Sequence, residues 1–258
     1  MDFGHKVGNQ WGGIGVGQFG GVGASGGAAM PPNVLATNLL IHWYLKPAAG
    51  YVSFNAGGAT QVRAVNNTAL TLDWDTVPAH QAQSHNNGLS FGGDDFLLFS
   101  AAAVAALNTV TSNITIIIIG EGDPTSSRRY FEMRNVATGT QLHIGTDATP
   151  ALVAAERRVA VSTANSVIAT PETTTDTIRA LVSPRNAQAY GYRGATQTAL
   201  YVAEDANFPG DFVAANCALG ARSDGTLGMT GLIRGALVYG ASLTAGQIAQ
   251  ILADYNAA

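Results

Sequence analysis

One stretch of the sequence decides the fold: Gly231-Leu-Ile-Arg-Gly-Ala-Leu-Val-Tyr239, followed after a short turn by Leu243-Thr-Ala-Gly-Gln-Ile-Ala-Gln-Ile-Leu-Ala-Asp-Tyr255. The first part is mostly apolar and has the length of a strand. The second begins with Thr244 and Gln247, three residues apart, a spacing that predicts a helix capping box. Apolar residues then recur at the spacing that gives a helix one apolar face, at Ile248, Ile251, Leu252 and Tyr255. The pattern predicts a strand that leads into a short helix docked on a larger body.

The composition favours a packed β domain over a nucleic-acid or membrane protein. Of the 258 residues 12% are charged, the formal net charge is −4 and there is no basic run, which argues against a phosphate-binding surface. No apolar run approaches the roughly 18 residues of a membrane span, and no signal-peptide pattern is found. Cys217 is the only cysteine and is predicted to be a small buried residue.

Residues 1–32 differ from the rest of the chain. Eleven of its 31 glycines lie before residue 28, and glycine-rich chain is costly to order alone. Large apolar residues lie between these glycines, at Phe3, Trp11, Ile14, Val16 and Phe19. We interpret the segment as an assembly arm that becomes ordered on neighbouring subunits, with a flexible leader as the alternative. Pro31-Pro32 marks the boundary with a globular domain of residues 33–258.

From Val34 onward, short apolar or alternating segments separated by turn residues predict β-strands. The strongest is Ile114-Thr-Ile-Ile-Ile-Ile119, a run so apolar that both of its faces must be covered. Ser100 is predicted to cap a brief helix over residues 101–107. The other predicted strands are 39–45, 51–54, 68–74, 89–91, 96–99, 130–134, 140–144, 157–161, 177–182, 187–190, 215–219 and 232–239. About a dozen short strands with few helical segments predict an all-β, antiparallel two-sheet sandwich.

Several segments between residues 85 and 255 follow one another in an order typical of a known family. They are Leu89-Ser-Phe-Gly-Gly-Asp-Asp-Phe96, Asn113-Ile-Thr-Ile-Ile-Ile-Ile-Gly120, Gly191-Tyr-Arg-Gly194, Ala218-Leu-Gly-Ala-Arg-Ser-Asp224 and the stretch from Gly231 to Ile248. In this order they resemble the concanavalin A-like lectin/glucanase superfamily, in particular the laminin-G-like modules of bacterial and bacteriophage proteins. The resemblance implies a jelly-roll sandwich. The chain departs from the family at Gly235, where Glu is common, and matches it poorly from Leu39 to Gln83.

Two glycine strings match the spelling of cofactor or catalytic motifs. Gly15-Val-Gly-Gln-Phe-Gly20 fits a dinucleotide-binding pattern, and Gly23-Ala-Ser-Gly-Gly27 fits a nucleophile elbow. Both motifs need a preceding strand and a following helix, whereas more glycine surrounds these strings. We interpret both as low complexity, and no cofactor is predicted.

The carboxylates that glycanases of the resembled superfamily use are incomplete here. Their strand is spelled Glu-x-Asp-x-x-Glu, and a retaining enzyme needs its two carboxyls about 5 Å apart. Glu121-Gly-Asp123 begins this spelling, but Ser126 stands at the second Glu position and Pro124 interrupts the strand. The sequence therefore predicts no enzyme.

A metal site like that of the legume lectins is also incomplete. Leu142-His-Ile-Gly-Thr-Asp147 is similar to a lectin strand whose histidine helps to bind metal, which would pair His143 with Glu121 and Asp123. Calcium needs several converging oxygen ligands, and the Asn and Asp of the lectin motif are absent. We predict no metal and interpret His143 as an ordinary strand residue.

The remaining candidates have simpler interpretations. Asp94 and Asp95 follow a Gly-Gly pair and are predicted turn residues, with calcium ligation as the alternative. Solvated loop positions, rather than a cation site, are predicted for His80, His85, Asp73 and Asp75. Core positions, with stacking on sugar rings as the alternative, are predicted for Trp43, Tyr44, Trp74, Tyr190 and Tyr192. No ligand-binding residue is identified.

Three function classes remain open. The leading hypothesis is a non-enzymatic structural or accessory protein of a tailed-phage virion, located at the particle surface, which is anchored by its arm and displays a lectin-like domain. Its expected partners are other virion proteins, copies of itself and host glycans, without nucleic acid or membrane. The alternatives are a free carbohydrate-binding module or bacterial adhesin, and a glycoside hydrolase or lyase.

Overall fold

The computed structural model describes residues 31–122, 127–146, 151–157, 164–171, 177–185, 187–194, 196–202 and 210–258, with the side chains of 151–178 and 201–202 left out. Several predictions lie outside these residues: the arm with Phe3, Trp11, Ile14, Val16 and Phe19, both glycine strings, Asp123, and all of the strand predicted at 157–161 except Arg157. They stay predictions.

The described chain is almost entirely β-structure, as predicted. Its strands are β1 Leu39–Tyr44, β2 Val52–Asn55, β3 Gly58–Arg63, β4 Thr71–Asp73, β5 Gln83–His85, β6 Gly88–Gly92, β7 Leu97–Phe99, β8 Ile114–Gly122, β9 Arg128–Asn135, β10 Thr140–Thr146, β11 Ala151–Arg157, β12 Ala164–Pro171, β13 Thr177–Ser183, β14 Gln188–Arg193, β15 Thr196–Val202, β16 Ala218–Leu219 and β17 Thr230–Tyr239. The helices are α1 Ala101–Leu107 and α2 Ala245–Ala257, with short 3-10 turns at Pro47–Ala49, Pro78–His80 and Ala214–Asn216. In the described part of the chain neither α-helix has the length and hydrophobicity needed to cross a membrane.

The strands form two antiparallel sheets. One has eight strands in the order β15-β14-β13-β8-β17-β6-β5, with β1 beside β17, and the other has nine in the order β12-β11-β10-β9-β16-β7-β4-β3-β2. Their inner faces share one apolar core that includes Trp43, Phe99 and Phe131. The all-β, two-sheet jelly-roll sandwich is therefore confirmed.

Strand β8 lies at the centre of the eight-stranded sheet, between β13 and β17. Its side chains alternate between two apolar clusters. Ile114, Ile116 and Ile118 face the nine-stranded sheet, whereas Ile117 and Ile119 face the opposite side. The prediction that both faces of this run are covered is confirmed.

Helix α2 covers that opposite side of the eight-stranded sheet. Thr244 accepts a hydrogen bond from the backbone N–H of Gln247, and the Gln247 side chain accepts one from the Thr244 N–H, so the predicted capping box is present. Ile248, Ile251 and Tyr255 of the helix are buried against strand residues that include Ile117 and Leu237. Burial of this face, more than intrinsic helix propensity, stabilises the helix.

Gly235 explains how closely the helix approaches the sheet. A Cβ at this position would lie 2.1 to 2.5 Å from the phenol ring and hydroxyl of Tyr255. The Tyr255 hydroxyl is also 2.7 Å from Nε2 of His42, which is itself buried. The departure from the resembled family at Gly235 therefore provides the space for Tyr255.

A Gly235→Ala substitution is expected to weaken the docking of α2, because the new methyl group overlaps the Tyr255 ring. Overpacking of this kind costs about 1–3 kcal/mol, measurable by chemical denaturation. Gly246→Ala is the matched control, since a Cβ there meets no atom within 4 Å and alanine favours helix. Equal stability of the two variants would contradict this packing.

The stability of the fold should depend on the protonation of His42. Burial lowers its pKa from 6.5 to about 4, so between these pH values the unfolded chain binds a proton that the folded chain does not. The free energy of unfolding therefore falls as the pH decreases from 6.5, by roughly 3 kcal/mol at pH 4 from this residue. His42→Gln keeps a hydrogen-bond donor for Tyr255 and removes the titration. Denaturation curves across this pH range should show a smaller loss for the variant, and parallel losses would refute the assignment.

Candidate functional site

The outer face of the nine-stranded sheet carries a row of aligned residues from neighbouring strands. Ala218 of β16 pairs with Glu132 of β9, and Glu132 pairs with His143 of β10. These residues alternate with Phe131 and Leu142, which face the core. Glu132 and His143 are polar but only 3% and 4% exposed. Burial of polar groups is costly unless they are hydrogen-bonded, so their surroundings require an explanation.

A β-bulge in β9 brings Arg129 to the same face. Phe131 pairs with Ile144 and Arg129 with Gly145, which leaves Tyr130 as the extra residue. Tyr130 turns into the core, where the Arg179 guanidinium lies 4.5 Å from its ring centre. A Cβ at Gly145 would lie 2.1 Å from the Arg128 carbonyl oxygen and 3.1 Å from Nη1 of Arg129. Glycine therefore allows the close approach of the β9 backbone, and the bulge places the Arg129 side chain on the face that carries His143.

The loop between β16 and β17 supplies the other half of the site. Its base is closed by hydrogen bonds from the Gly220 N–H to the Tyr130 carbonyl and from the Met229 N–H to the Gly220 carbonyl. At its tip, Asp224 accepts hydrogen bonds from the backbone N–H and the hydroxyl of Thr226. The loop thereby holds Arg222 and Asp224 over β9.

Three arginines surround one buried carboxylate. We call Arg129, Arg134 and Arg222, together with Glu132, the arginine cluster. Oε2 of Glu132 lies 3.9 Å from Nε of Arg134 and 3.8 Å from Nε of Arg222. Both distances are too long for hydrogen bonds. Asp224 lies at the rim, with its Oδ2 3.5 Å from Nη2 of Arg134 and 3.7 Å from Nη2 of Arg222.

The cluster holds donors and an acceptor that the described residues do not satisfy. Buried atoms without a hydrogen-bond partner there include Nε of all three arginines, Oε2 of Glu132 and Nδ1 of His143. Most buried side-chain polar atoms in proteins have a partner, and exceptions often mark a water or ligand position. The fractional exposure of the side chains rises from 4% at Glu132 through 15% at Arg134 and 31% at Arg222 to 46% at Asp224. The site therefore opens to solvent at the loop.

The electrostatics of the cluster favour an anion. Burial raises the pKa of Glu132 above its usual value, and the charges of Arg134, Arg222 and Arg129 oppose that shift. Burial, with Arg129 and Arg222 nearby, lowers the pKa of His143 to about 3, so its ring is neutral at pH 7. Among the described side chains, the three guanidinium charges and the two carboxylate charges of Glu132 and Asp224 then leave a net charge of about +1. This local excess lies in a chain whose formal net charge is −4.

The candidate site that the sequence suggested around Glu121 and His143 is not assembled. His143 lies on β10 of the nine-stranded sheet and Glu121 on β8 of the eight-stranded sheet. Within the described residues, no group of three or more His, Cys, Asp or Glu side chains is placed to hold a metal ion. His143 is a strand residue, as interpreted, but it also borders the arginine cluster.

Most of the candidate acids and histidines make contacts with residues near them in the fold and form no common site. Oδ2 of Asp95 accepts a hydrogen bond from the Gly92 N–H at 2.6 Å, which is turn chemistry. Asp75 and His80 form a pair at 2.7 Å, Asp73 accepts hydrogen bonds from Gln61 and Thr71, and His85 is exposed on β5. Asp94 lies in the bend between β6 and β7. The four residues Asp73, Asp75, His80 and His85 thus do not converge on one point.

The aromatic candidates and the cysteine pack in the interior. Trp43 lies in the core between the sheets, and the partly buried Trp74 packs against that core. Tyr44 and Tyr192 are buried in the cluster beneath α2, and Tyr190 packs against that cluster. Cys217 is fully buried, which raises the pKa of its thiol to about 12. These positions agree with the predicted core roles.

Comparison with known proteins identifies the fold and no family. No protein-family model matches the chain, and no curated protein matches it. Among solved structures, Trypanosoma rangeli sialidase bound to 2,3-difluorosialic acid has a TM-score of 0.56 and 15% identity, covering 86% of this chain and 35% of that one. A mutant of the same sialidase that displays trans-sialidase activity gives 0.56 and 14%, covering 84% and 33%.

A smaller structure is similar over part of the chain. The CBM40 of the Ruminococcus gnavus IT-sialidase, bound to α2,3-sialyllactose, has a TM-score of 0.48 and 16% identity, and covers 59% of this chain and 88% of that one. The present chain spans about a third of the length of the T. rangeli sialidase chains. At these identities the likeness is one of fold, a β-sandwich.

Proposed function

We propose that this protein is a non-catalytic carbohydrate-binding sandwich that recognises an acidic saccharide at the arginine cluster. The observation that carries the proposal is the cluster of three arginines with one excess positive charge, in which the side chains of Arg134 and Arg222 are 15% and 31% exposed. A carboxylate accepts charge-assisted hydrogen bonds from guanidinium groups well, and these groups match its planar geometry. It would also neutralise the single excess positive charge.

The carboxylate at the rim of the cluster favours a sugar acid over a simple anion. Asp224 is 46% exposed there. A sugar ring presents hydroxyl groups beside its carboxylate, so one ligand can accept hydrogen bonds from the arginines and donate one to Asp224. An inorganic anion can supply only acceptors unless it is protonated.

The geometry favours binding over hydrolysis. The pKa of Glu132 is raised by burial; that of Asp224 is lowered, because hydrogen bonds from Thr226 and the charges of Arg222 and Arg134 outweigh its partial burial. Such a split is also found in acid–base pairs. However, Glu132 lies beneath the more exposed side chains of Arg134 and Arg222. A glycosidic oxygen therefore has no direct path to its carboxyl.

The virion role and the assembly arm remain predictions, as do the partners and the particle-surface location. Residues 1–30 lie outside the described part of the chain. The proposal of glycan binding rests on the sandwich alone and does not depend on whether a larger particle displays it. A displayed domain and a free module are equally compatible with the arginine cluster.

Arg134→Ala and Arg222→Ala should each weaken acidic-sugar binding at least tenfold. Hydrogen bonds to charged groups contribute about 1.5–3 kcal/mol, and a tenfold change corresponds to about 1.4 kcal/mol. Isothermal titration calorimetry would use α2,3-sialyllactose and digalacturonate as acidic probes and lactose as the neutral probe. The sialylated probe is chosen because a sialic acid derivative is the ligand named for the similar T. rangeli sialidase structure.

Arg193→Ala is the matched control, because Arg193 lies on β14 of the other sheet. It should bind the acidic probes like the wild type. Failure of the wild type to bind either acidic probe, or equal binding by Arg134→Ala and Arg222→Ala, would refute the proposal. Release of reducing sugar from the probes would show a hydrolase instead.

A further inference from the structure

Glu132 has an unusual position for a buried carboxylate. Its strand neighbours on the outer face are Ala218, which offers no side-chain donor, and His143, whose ring is neutral at pH 7. Among the described side chains its charge is balanced by the arginines alone. Its Oε2 lies 3.8 Å and 3.9 Å from the Nε atoms of Arg222 and Arg134. At these distances the carboxylate offsets part of the positive charge but accepts no hydrogen bond from either Nε–H.

In the resulting site the arginines supply the hydrogen-bond donors, and the two carboxylates set the net charge. The arginine Nε atoms make no hydrogen bond within the described residues, while Glu132 and Asp224 limit the excess charge to one. A bound carboxylate brings the described cluster to neutrality. A phosphate monoester carries close to two negative charges above its second pKa of about 6, and its second charge would lie unpaired near Glu132. Unpaired charge in a desolvated site is costly.

We propose that Glu132 sets the charge selectivity of the arginine cluster, so that the site accepts sugars with one carboxylate and disfavours sugars with a phosphate monoester. This inference rests on the proposed function, because it assumes that the cluster binds an acidic saccharide. Glu132 selects by repulsion of the second charge, and the arginines supply the attraction.

The test compares two sugars that differ only at C6, which is the carboxylate carbon in glucuronate and bears the phosphate in glucose 6-phosphate. Glucuronate and glucose 6-phosphate would be titrated into the protein at pH 8, with binding followed by NMR shift changes. The measured quantity is the ratio of the two dissociation constants. For the wild type, glucuronate should bind more tightly. In Glu132→Gln, which keeps the size of the side chain and removes its charge, the ratio should move at least tenfold towards the phosphate.

Two further variants separate charge from structure. Glu132→Asp keeps the charge and should keep the wild-type preference, even if its shorter side chain weakens both sugars. Asp224→Asn also removes one negative charge, but Asp224 is 46% exposed, so screening by solvent should make its effect on the ratio smaller than that of Glu132→Gln. If the role of Glu132 is only structural, Glu132→Gln should weaken the binding of both sugars equally and leave the ratio of their dissociation constants unchanged.

The outcomes distinguish the two proposals. If α2,3-sialyllactose or digalacturonate binds through Arg134 and Arg222 but the ratio is the same in the wild type and Glu132→Gln, only the selectivity is refuted. A wild type that prefers glucose 6-phosphate refutes it as well. If no acidic sugar binds the wild type or Glu132→Gln, both the selectivity and the proposed function are wrong.

Discussion

Strand β8 is apolar on both of its sides, and the rest of the structure depends on covering both. The nine-stranded sheet covers one side, where Ile116 and Ile118 lie, and α2 covers the other, where Ile117 and Ile119 lie. Each fully buried side chain of this kind contributes about 1.5–3 kcal/mol through the hydrophobic effect. The centre of the eight-stranded sheet is thereby packed on both sides, and the arginine cluster lies on the outer face of the nine-stranded sheet.

That outer face is where the chain assembles charged groups from distant parts of the sequence. The bulge at Tyr130 turns Arg129 outward beside Glu132, and the loop that begins at Gly220 returns to bring Arg222 over the same strand. Gly145 allows the β9 backbone at Arg128 to approach β10 closely. A rigid sheet supports the buried charges, and the exposed loop gives solvent access to them. This division suits recognition of a small polar ligand.

The sequence predicted the parts of the fold that depend on local patterns. The cap at Ser100 and the helix over 101–107 were predicted with the observed bounds, as was the capping box of Thr244 and Gln247. Strand β3, Gly58–Arg63, was not predicted, because Gly58, Thr60 and Gln61 break its apolar alternation. The strand predicted at 68–74 is shorter, Thr71–Asp73, because Asn67 begins a turn that ends at Leu70.

The arginine cluster could not be predicted by the same reasoning. Arg129 and Glu132 are three residues apart, which places them on opposite faces of a regular strand, and only the bulge brings them together. Arg222 is distant from Glu132 in sequence. The two come together because Ala218, four residues before Arg222, pairs with Glu132. The one available signal was the density of arginines around Glu132 in a chain with few charges.

The most direct test of the account is to observe the arginine side chains while an acidic sugar binds. In an NMR titration with α2,3-sialyllactose or digalacturonate, the Nε–H signals of Arg129, Arg134 and Arg222 should shift together and saturate with one dissociation constant. The Nε–H signal of Arg193 should stay unchanged. Binding that shifts signals of the eight-stranded sheet, while the three arginine signals do not move, would contradict the account.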